Sequence, residues 1–140
     1  MFSFTNMLAV ASVALFSLAP ASAVPTGNGT LLEKRSYSGD GTYYNTGLGA
    51  CGVTNVDTDY IIAVSVDLYN SYPGATANPN LNPICGRLIT ATYNGRSVTA
   101  AVKDKCYACA EYDLDFSPAA FTQLAAESVG RIPITWQFID

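Results

Sequence analysis

The 140-residue sequence contains no histidine, one tryptophan and two methionines, and only 13% of its residues are charged. The missing histidine excludes a His-based catalytic triad and removes the commonest general base and zinc ligand. The low charge, with a formal net charge of -4, argues against a nucleic-acid partner. Long apolar runs are lacking too, because the run at residues 7–19 is shorter than the roughly 20 residues that span a bilayer. We therefore expect neither nucleic-acid nor membrane partners.

The amino-terminal region is typical of an exported precursor. Its apolar run is followed by a small-x-small cleavage pattern at residues 21–23, which predicts a signal peptide over residues 1–23, although no lysine or arginine precedes the run. Residues 24–35 are polar and end in a Lys-Arg pair that resembles a kexin-type processing site. We interpret them as a propeptide, and the alternative is a solvated linker. The mature, secreted domain would then comprise residues 36–140.

The predicted mature domain is more acidic than the whole chain. Residues 36–140 carry five basic and ten acidic side chains, which gives a net charge near -5. Such a surface repels phosphate backbones and anionic membranes but carries no penalty toward neutral polymers. Polysaccharides are therefore the partner class that the charge leaves open.

All four cysteines, Cys51, Cys85, Cys106 and Cys109, lie in the predicted mature domain. An even number in an exported chain predicts two disulfides, for which three pairings exist. A zinc site is the alternative, but only one Cys-x-x-Cys half of a paired knuckle is present. A redox-active motif normally opens a helix, whereas this one leads into an acidic loop. We expect structural disulfides, with no metal and no cofactor.

Strand patterns dominate the predicted secondary structure. Asn94-Gly95 separates two of them and is the strongest short hairpin signal, because a type I′ turn needs positive φ at both central positions. Several short strands in about 100 residues indicate a small closed β-barrel. The predicted strands are residues 41–45, 60–66, 87–93, 96–104 and 132–139.

One helix and one long loop complete the prediction. Pro118 at a first helical position, with Ser117 as N-cap, predicts a helix over residues 118–127. Residues 69–83 are rich in Asn, Pro and Gly and predict a loop.

Strand periodicity places one acid at the edge of the barrel. Val98, Ala100 and Val102 share a face by the two-residue period, and Asp104 is next on that face. Its side chain would reach the rim pointing where the core residues point. Trp136 shares its phase with apolar neighbours, so it is predicted to fill the core rather than to form a ligand platform.

The stretch after Asp104 is rich in acids and tyrosines. It carries Tyr107, Glu111, Tyr112, Asp113 and Asp115. Carboxyls this close repel one another, so the pKa of at least one can rise enough for a general acid or a neutral hydrogen-bond donor. The dipole of the predicted helix opposes this rise for Asp115. The alternative interpretation is a solvated loop.

Six short segments along the mature domain form a combined pattern. They are Gly41-Thr42-Tyr43-Tyr44, Gly49-Ala50-Cys51-Gly52, Cys85-Gly86, Val102-Lys103-Asp104-Lys105-Cys106, Leu114-Asp115-Phe116-Ser117-Pro118-Ala119-Ala120-Phe121 and Ile134-Thr135-Trp136. In this order they resemble the expansin superfamily, in particular small fungal single-domain proteins such as the loosenins. The resemblance implies a mainly β fold, a six-stranded double-psi β-barrel of the RlpA-like and barwin-like type with one short helix. It also implies an open polysaccharide groove across one face.

The resemblance implies roles for individual residues. Asp115 matches the Asp of a motif that expansins require and that family-45 endoglucanases use as general acid. Asp104 matches the Asp of their Val-Thr-Asp segment, and Thr42 matches a polar residue that lines the groove. The other candidates for polysaccharide contacts are Tyr43, Tyr44, Tyr107, Glu111 and Tyr112.

The resemblance also implies the disulfide pairing and shows one departure. In expansins the Gly-Ala-Cys-Gly cysteine bonds to the later Cys-Gly cysteine, which implies Cys51–Cys85 and leaves Cys106–Cys109. A tyrosine of bacterial expansins is replaced here by Cys106, with Tyr107 beside it. Which tyrosine faces the groove is therefore open.

The supply of carboxylates favours loosening over hydrolysis. Inverting hydrolysis needs a second carboxylate to activate water, and in family-45 enzymes it follows the first-strand motif. Residues 41–54 contain no Asp or Glu. We therefore expect a monomer that binds cellulose or chitin and loosens it without hydrolysis. Because the chain ends directly after the last predicted strand, we expect no second carbohydrate-binding domain, and hence weak binding.

Two alternatives remain at this point. Lytic transglycosylases with this barrel cleave peptidoglycan using a single Asp, because a hydroxyl of the sugar replaces water. Barwin-like relatives and double-psi protease inhibitors bind a protein partner through loops, and residues 69–83 would be the candidate surface.

Overall fold

A computed structural model describes residues 35–139, so the proposed signal peptide and nearly all of the proposed propeptide lie outside the described residues. The strands are β1 Tyr37–Tyr43, β2 Ile61–Ser65, β3 Leu88–Tyr93, β4 Arg96–Cys106, β5 Leu114–Phe116 and β6 Ile132–Phe138. They form a closed barrel in the order β1-β5-β2-β4-β3-β6, and β6 pairs back onto β1. The predicted mainly β, six-stranded barrel is confirmed.

The hairpin of β3 and β4 forms where the sequence predicts it. Asn94 with φ 46° and Gly95 with φ 77° both have the positive φ that a type I′ turn requires. On the exposed face the hydroxyls of Thr90 and Thr99 face each other at 2.7 Å, in agreement with their paired register. The local signals alone are sufficient to define this element.

Strand β5 corrects the sequence interpretation, which placed these residues in an acidic loop. Leu114 and Phe116 are completely buried, and β5 pairs in parallel with β1 and in antiparallel with β2. Three residues are too few for a two-residue period to be detected. Asp115 is consequently fixed between two strands instead of lying in a solvated loop.

A short helix occupies part of the predicted loop 69–83. Helix α1, Val66–Ser71, begins directly after β2, and the Ser65 hydroxyl caps it by accepting the N–H of Leu68 at 3.1 Å. A 3-10 helix, Pro79–Leu81, follows in the same stretch. The sequence pattern missed α1 because its six residues follow an apolar strand without a break.

Helix α2, Pro118–Phe121, starts where the sequence predicts it but ends early. The Ser117 hydroxyl caps it by accepting the N–H of Ala120 at 3.4 Å. The prediction of a helix to residue 127 is wrong, because the N–H of Leu124 bonds to the carbonyl of Phe121 and tightens the chain into turns. These turns bury the Leu124 side chain.

The two-residue period of β4 is interrupted by a bulge. Ile62 of β2 pairs with Val102, but the next residue, Ala63, pairs with Asp104, so Lys103 is the extra residue. The interruption moves Asp104 off the inner face, where the period had placed it, and onto the outer face with Ala63. The expectation that Asp104 points with the core residues is therefore wrong.

Trp136 fills the core as predicted and is 1% exposed. Its ring stacks on Tyr37 with 4.4 Å between the centroids, and its Nε1 donates to the carbonyl of Tyr112 at 2.8 Å. This hydrogen bond ties β6 to the segment that leads into β5.

Both disulfides implied by the resemblance are present, Cys51–Cys85 and Cys106–Cys109. No cysteine is left free to ligate zinc. Within residues 35–139, no helix combines the length and the apolar character needed to cross a bilayer.

Candidate functional site

Four strands that are distant in sequence align four side chains on the outer face of the barrel. The register pairs Thr42 of β1 with Asp115 of β5, and Asp115 in turn with Ala63 of β2. Ala63 also pairs with Asp104 of β4. Directly paired residues point to the same side of a sheet, and neighbouring strands lie about 4.8 Å apart. The two acids therefore stand roughly two strand spacings apart, with Ala63, which is 2% exposed, on the strand between them. We call Thr42, Asp115, Ala63 and Asp104 the acid row.

Asp115 is a half-buried acid that keeps its proton more readily than usual. Burial raises its pKa above the ordinary value of 3.8. The hydroxyl of Thr42, which donates to Oδ1 at 2.7 Å, and the positive charge of Arg131 lower the pKa in part, while Asp104 adds a smaller increase. Burial thus outweighs the repulsion between carboxyls that the sequence suggested. Such a group suits hydrogen bonding or proton donation to a sugar oxygen.

Asp104 is held by the loop between β1 and β2. Its Oδ1 accepts the backbone N–H of Ala50 at 2.8 Å and that of Lys105 at 2.8 Å. Gly49 permits this approach, because a Cβ at that position would overlap the carbonyl oxygen of Lys103. The sequence did not assign a role to Ala50, whose contribution is a backbone N–H and leaves no signature in its side chain.

Of the adjacent tyrosines at the end of β1, Tyr44 faces the acid row. Its hydroxyl donates to Asp104 Oδ2 at 3.3 Å. Burial, together with the negative charges of Asp104 and Asp115, raises the pKa of Tyr44 strongly, so the phenol stays protonated and acts as a donor. Tyr43 points the other way and packs on Phe121, with 5.0 Å between the ring centroids.

The Cys106–Cys109 disulfide borders Asp115. The two sulfur atoms and a carboxylate oxygen of Asp115 lie within 4.8 Å of one another. A disulfide sulfur cannot donate a hydrogen bond to the carboxylate. Where the sulfur atoms lie against Asp115, they exclude water molecules that could have donated one. The short disulfide therefore contributes to the burial that raises the pKa of Asp115.

Asp113, the acid nearest to Asp115 in sequence, has a structural role. Its carboxylate accepts the backbone N–H of Asp40 at 2.8 Å and that of Ala110 at 3.1 Å. The guanidinium of Arg131 lies 3.8 Å away. These contacts lock the start of β5 against β1.

Two further candidates, Glu111 and Tyr112, lie away from the acid row. The neighbouring carboxyl of Glu111 raises the pKa of the Tyr112 hydroxyl. The Tyr112 ring also packs at 5.0 Å from Tyr37. Within the described residues neither side chain forms a hydrogen bond to Asp115 or Asp104.

A pocket of about 630 Å³ adjoins the acid row at Asp104. It lies between the loop after β1, the 3-10 helix and the end of β4. Tyr107, 79% exposed, stands at its rim. Other lining residues are Leu48, Ala50, Asn80, Asp104 and Lys105.

The strand arrangement is that of a double-psi β-barrel domain. The barrel is closed and six-stranded, β1 runs parallel to β5, and β2 runs parallel to β4. The chain belongs to the double-psi β-barrel family DPBB_1, described as lytic transglycolase, whose model matches residues 27–136. The expected double-psi β-barrel family is confirmed.

Several known proteins are similar to this chain. The papain inhibitor of Streptomyces mobaraensis is 37% identical over 99% of this chain and 92% of its own. The allergen Asp f 7 of Aspergillus fumigatus and its homolog in Arthroderma benhamiae are each 36% identical, but this chain spans only 34% and 38% of their lengths.

Solved structures show the same fold. The Streptomyces papain inhibitor superposes with a TM-score of 0.69 and 34% identity, over 76% of this chain and 96% of its own. A Clavibacter michiganensis expansin mutant in complex with cellohexaose gives a TM-score of 0.62 at 24% identity, over 76% of this chain and 51% of its own.

The raised pKa of Asp115 predicts that Asp115→Asn stabilises the barrel at neutral pH. An acid with a higher pKa in the folded state binds more protons when folded, so stability falls as the pH rises from about 3.8 through the folded-state pKa. The asparagine keeps an acceptor for the Thr42 hydroxyl and removes this penalty. Thermal unfolding should show a higher Tm for the variant at neutral pH and equal Tm values below about pH 4.

Asp113→Asn is the matched control for this prediction. It weakens one of two backbone hydrogen bonds and should cost about 1 kcal/mol at neutral pH. A lower Tm for Asp115→Asn than for the wild type at neutral pH would contradict burial as the dominant cause.

Proposed function

We propose that this is a secreted protein that binds a polysaccharide along the acid row and loosens it without hydrolysis. The observation that carries the proposal is the Thr42–Asp115 pair, a half-buried carboxyl on the outer face of the sheet, where a polymer can reach it. Carboxyl and hydroxyl groups can replace the hydrogen bonds that one sugar chain makes with the next. Export agrees with the leader pattern at residues 1–23 and with the two disulfides.

The engagement of Asp104 argues against hydrolysis. Inverting hydrolysis needs a carboxylate roughly 6.5 to 9.5 Å from the acid that is available to activate water. Asp104 stands at a comparable spacing, but its oxygens accept two backbone N–H groups and the hydroxyl of Tyr44. In this role Asp104 fixes the loop after β1 and the Tyr44 hydroxyl beside the sugar chain, while Asp115 makes the central contact.

The fold supports a glucan as one ligand class. The expansin with which this barrel superposes has been described in complex with cellohexaose. The low charge of this chain agrees with a neutral polymer backbone.

A pull-down on insoluble cellulose, chitin and peptidoglycan tests the proposal. Asp115→Ala should reduce the binding constant about tenfold, because a hydrogen bond to a charged group contributes about 1.5 kcal/mol or more. Asp67→Ala removes an exposed acid of α1 and should bind like the wild type. Equal binding by both variants would show that the acid row is not the binding site.

Product analysis separates loosening from cleavage. Reducing ends released from cellulose or chitin in an Asp115-dependent manner would demonstrate hydrolysis. Anhydro-muropeptides released from bacterial walls would demonstrate lytic transglycosylase activity, for which one carboxyl suffices. Weakening of cellulose fibres without either product is the result that we expect.

Inhibition of a papain-like protease is a second candidate function. It is favoured by the 37% identity to the Streptomyces mobaraensis papain inhibitor over nearly the full length of both chains. The loop between α1 and β3, where Leu81 is 68% exposed, would supply the contact surface. Papain inhibition that survives Asp115→Ala would support this function, and full papain activity at excess protein would exclude it.

A further inference from the structure

Lys105 holds its ammonium group in the pocket beside Asp104. Its Nζ lies 5.5 Å from the ring centroid of Tyr69 and 5.5 Å from that of Tyr107. Tyr69 is 1% exposed, and its hydroxyl donates to the carbonyl of Pro79 at 2.7 Å, so this ring is fixed. The two aromatic faces therefore orient the cation before any ligand arrives.

This ammonium has no anionic partner within residues 35–139. Arg131 forms ion pairs with Asp40 and Asp113, and neither pair involves Lys105. The neighbouring Asp104 accepts the backbone N–H of Lys105, not its side chain. In a domain with twice as many acidic as basic residues, a lysine that lines a pocket and has no anionic partner in the described part of the chain is placed to bind an anion.

We propose that this pocket binds a carboxylate carried by the polysaccharide. The inference rests on the proposed function and extends it by naming a substituent, such as a uronic acid or a carboxylate of a peptidoglycan stem peptide. The volume of about 630 Å³ accommodates a substituted sugar unit. Tyr107 offers the ring face for the sugar, and Lys105 offers the charge for its carboxylate.

Two sources of negative charge, the carboxylate of Asp104 and the net charge of the domain, oppose the binding of an anion, but neither prevents it. Asp104 lines the same pocket, but its Oδ1 is bonded to two N–H groups and its Oδ2 faces Tyr44. These donors offset its charge on the pocket side. The net charge of the domain acts over longer distances, and physiological salt screens it beyond about 8 Å.

Cellulose and C6-oxidised cellulose provide a matched pair of ligands, since they differ only in a carboxylate. At physiological ionic strength the wild type should bind the oxidised polymer about fivefold more tightly, the gain of one partly screened ion pair. Lys105→Gln should abolish this preference and leave binding to neutral cellulose unchanged. Lys105→Arg should retain most of it.

Lys103→Gln is the matched control, because it removes the same charge two residues earlier in β4. Lys103→Gln should retain the preference for oxidised over neutral cellulose. If Lys103→Gln and Lys105→Gln lost this preference equally, the cause would be a general charge effect and the inference would be overturned. Equal binding of the wild type to both polymers would overturn the inference and leave the proposed function intact. Binding to neither polymer would overturn both.

Two further arms identify the source of the ligand. Tighter binding to peptidoglycan than to chitin, lost in Lys105→Gln, would assign the carboxylate to the stem peptide, whereas a preference confined to oxidised cellulose would assign it to a uronic acid. Loss of papain inhibition in Lys105→Gln, with polysaccharide preference unchanged, would assign the pocket to a protein partner and overturn the inference.

Discussion

Replacing both Cys51 and Cys85 with serine is expected to lower the free energy of unfolding by about 4 kcal/mol. The two cysteines are 34 residues apart, and the bond restricts the unfolded chain in proportion to the logarithm of that loop length. Domains of this size are stable by about 5 to 15 kcal/mol, so the loss removes much of the margin. Equilibrium unfolding in denaturant without reductant would measure it.

The local environment adds to this cost. Cys51 is buried, and the hydroxyl of Tyr69 lies 3.5 Å from its sulfur and 3.2 Å from that of Cys85. Separated serines would disturb this packing. The matched control replaces Cys106 and Cys109, which are three residues apart, and should cost only about 2 kcal/mol. A larger loss for the short disulfide would contradict the argument from loop length.

Gly49→Ala should destabilise the protein by about 3 kcal/mol and also impair polysaccharide binding. The new Cβ would overlap the carbonyl oxygen of Lys103. This oxygen belongs to the backbone of β4, so it cannot move aside as the end of a flexible side chain could. The loop must then withdraw from β4 and break the hydrogen bonds from Ala50 to Asp104 and from Cys51 to the Lys103 carbonyl. Unfolding and pull-down measurements would record the two effects.

Gly47→Ala is the control for this prediction, because a Cβ at Gly47 meets no atom within 4 Å. It should leave stability and polysaccharide binding close to the wild-type values. If Gly49→Ala were as stable as Gly47→Ala, the close packing of this loop on Lys103 would be wrong.

The elements that the sequence predicted well are those defined by neighbours in the chain. The turn at Asn94-Gly95 and the cap at Ser117 each depend on a few adjacent residues, and both form as predicted. The buried position of Trp136 follows from the period of its own strand.

The elements that the sequence missed depend on partners far away in the chain. The bulge at Lys103 exists because β4 must pair with β2, and it reverses the side to which Asp104 points. Strand β5 is defined by the hydrogen bonds of two flanking strands rather than by its own three residues. The hydrophobic pattern within one segment of the sequence cannot reveal either the bulge or strand β5.

The residues of the candidate site also fall into those that the sequence predicted and those that only the structure reveals. The resemblance named Asp115, Asp104 and Thr42, and the structure aligns all three across neighbouring strands. Ala63, which lies buried on the strand between the two acids, is an ordinary alanine in the sequence and becomes informative only through its register.

The pairing of β1 has a consequence for biosynthesis. Among the described strands, the first to leave the ribosome is β1, and it is flanked by β5 and β6, both from the last quarter of the chain. Until that last quarter is available, both edges of β1 stay open and can associate with strands of other molecules. Closure of the barrel must therefore wait until β5 and β6 have been synthesised, and the open edges of β1 are exposed to aggregation during that delay.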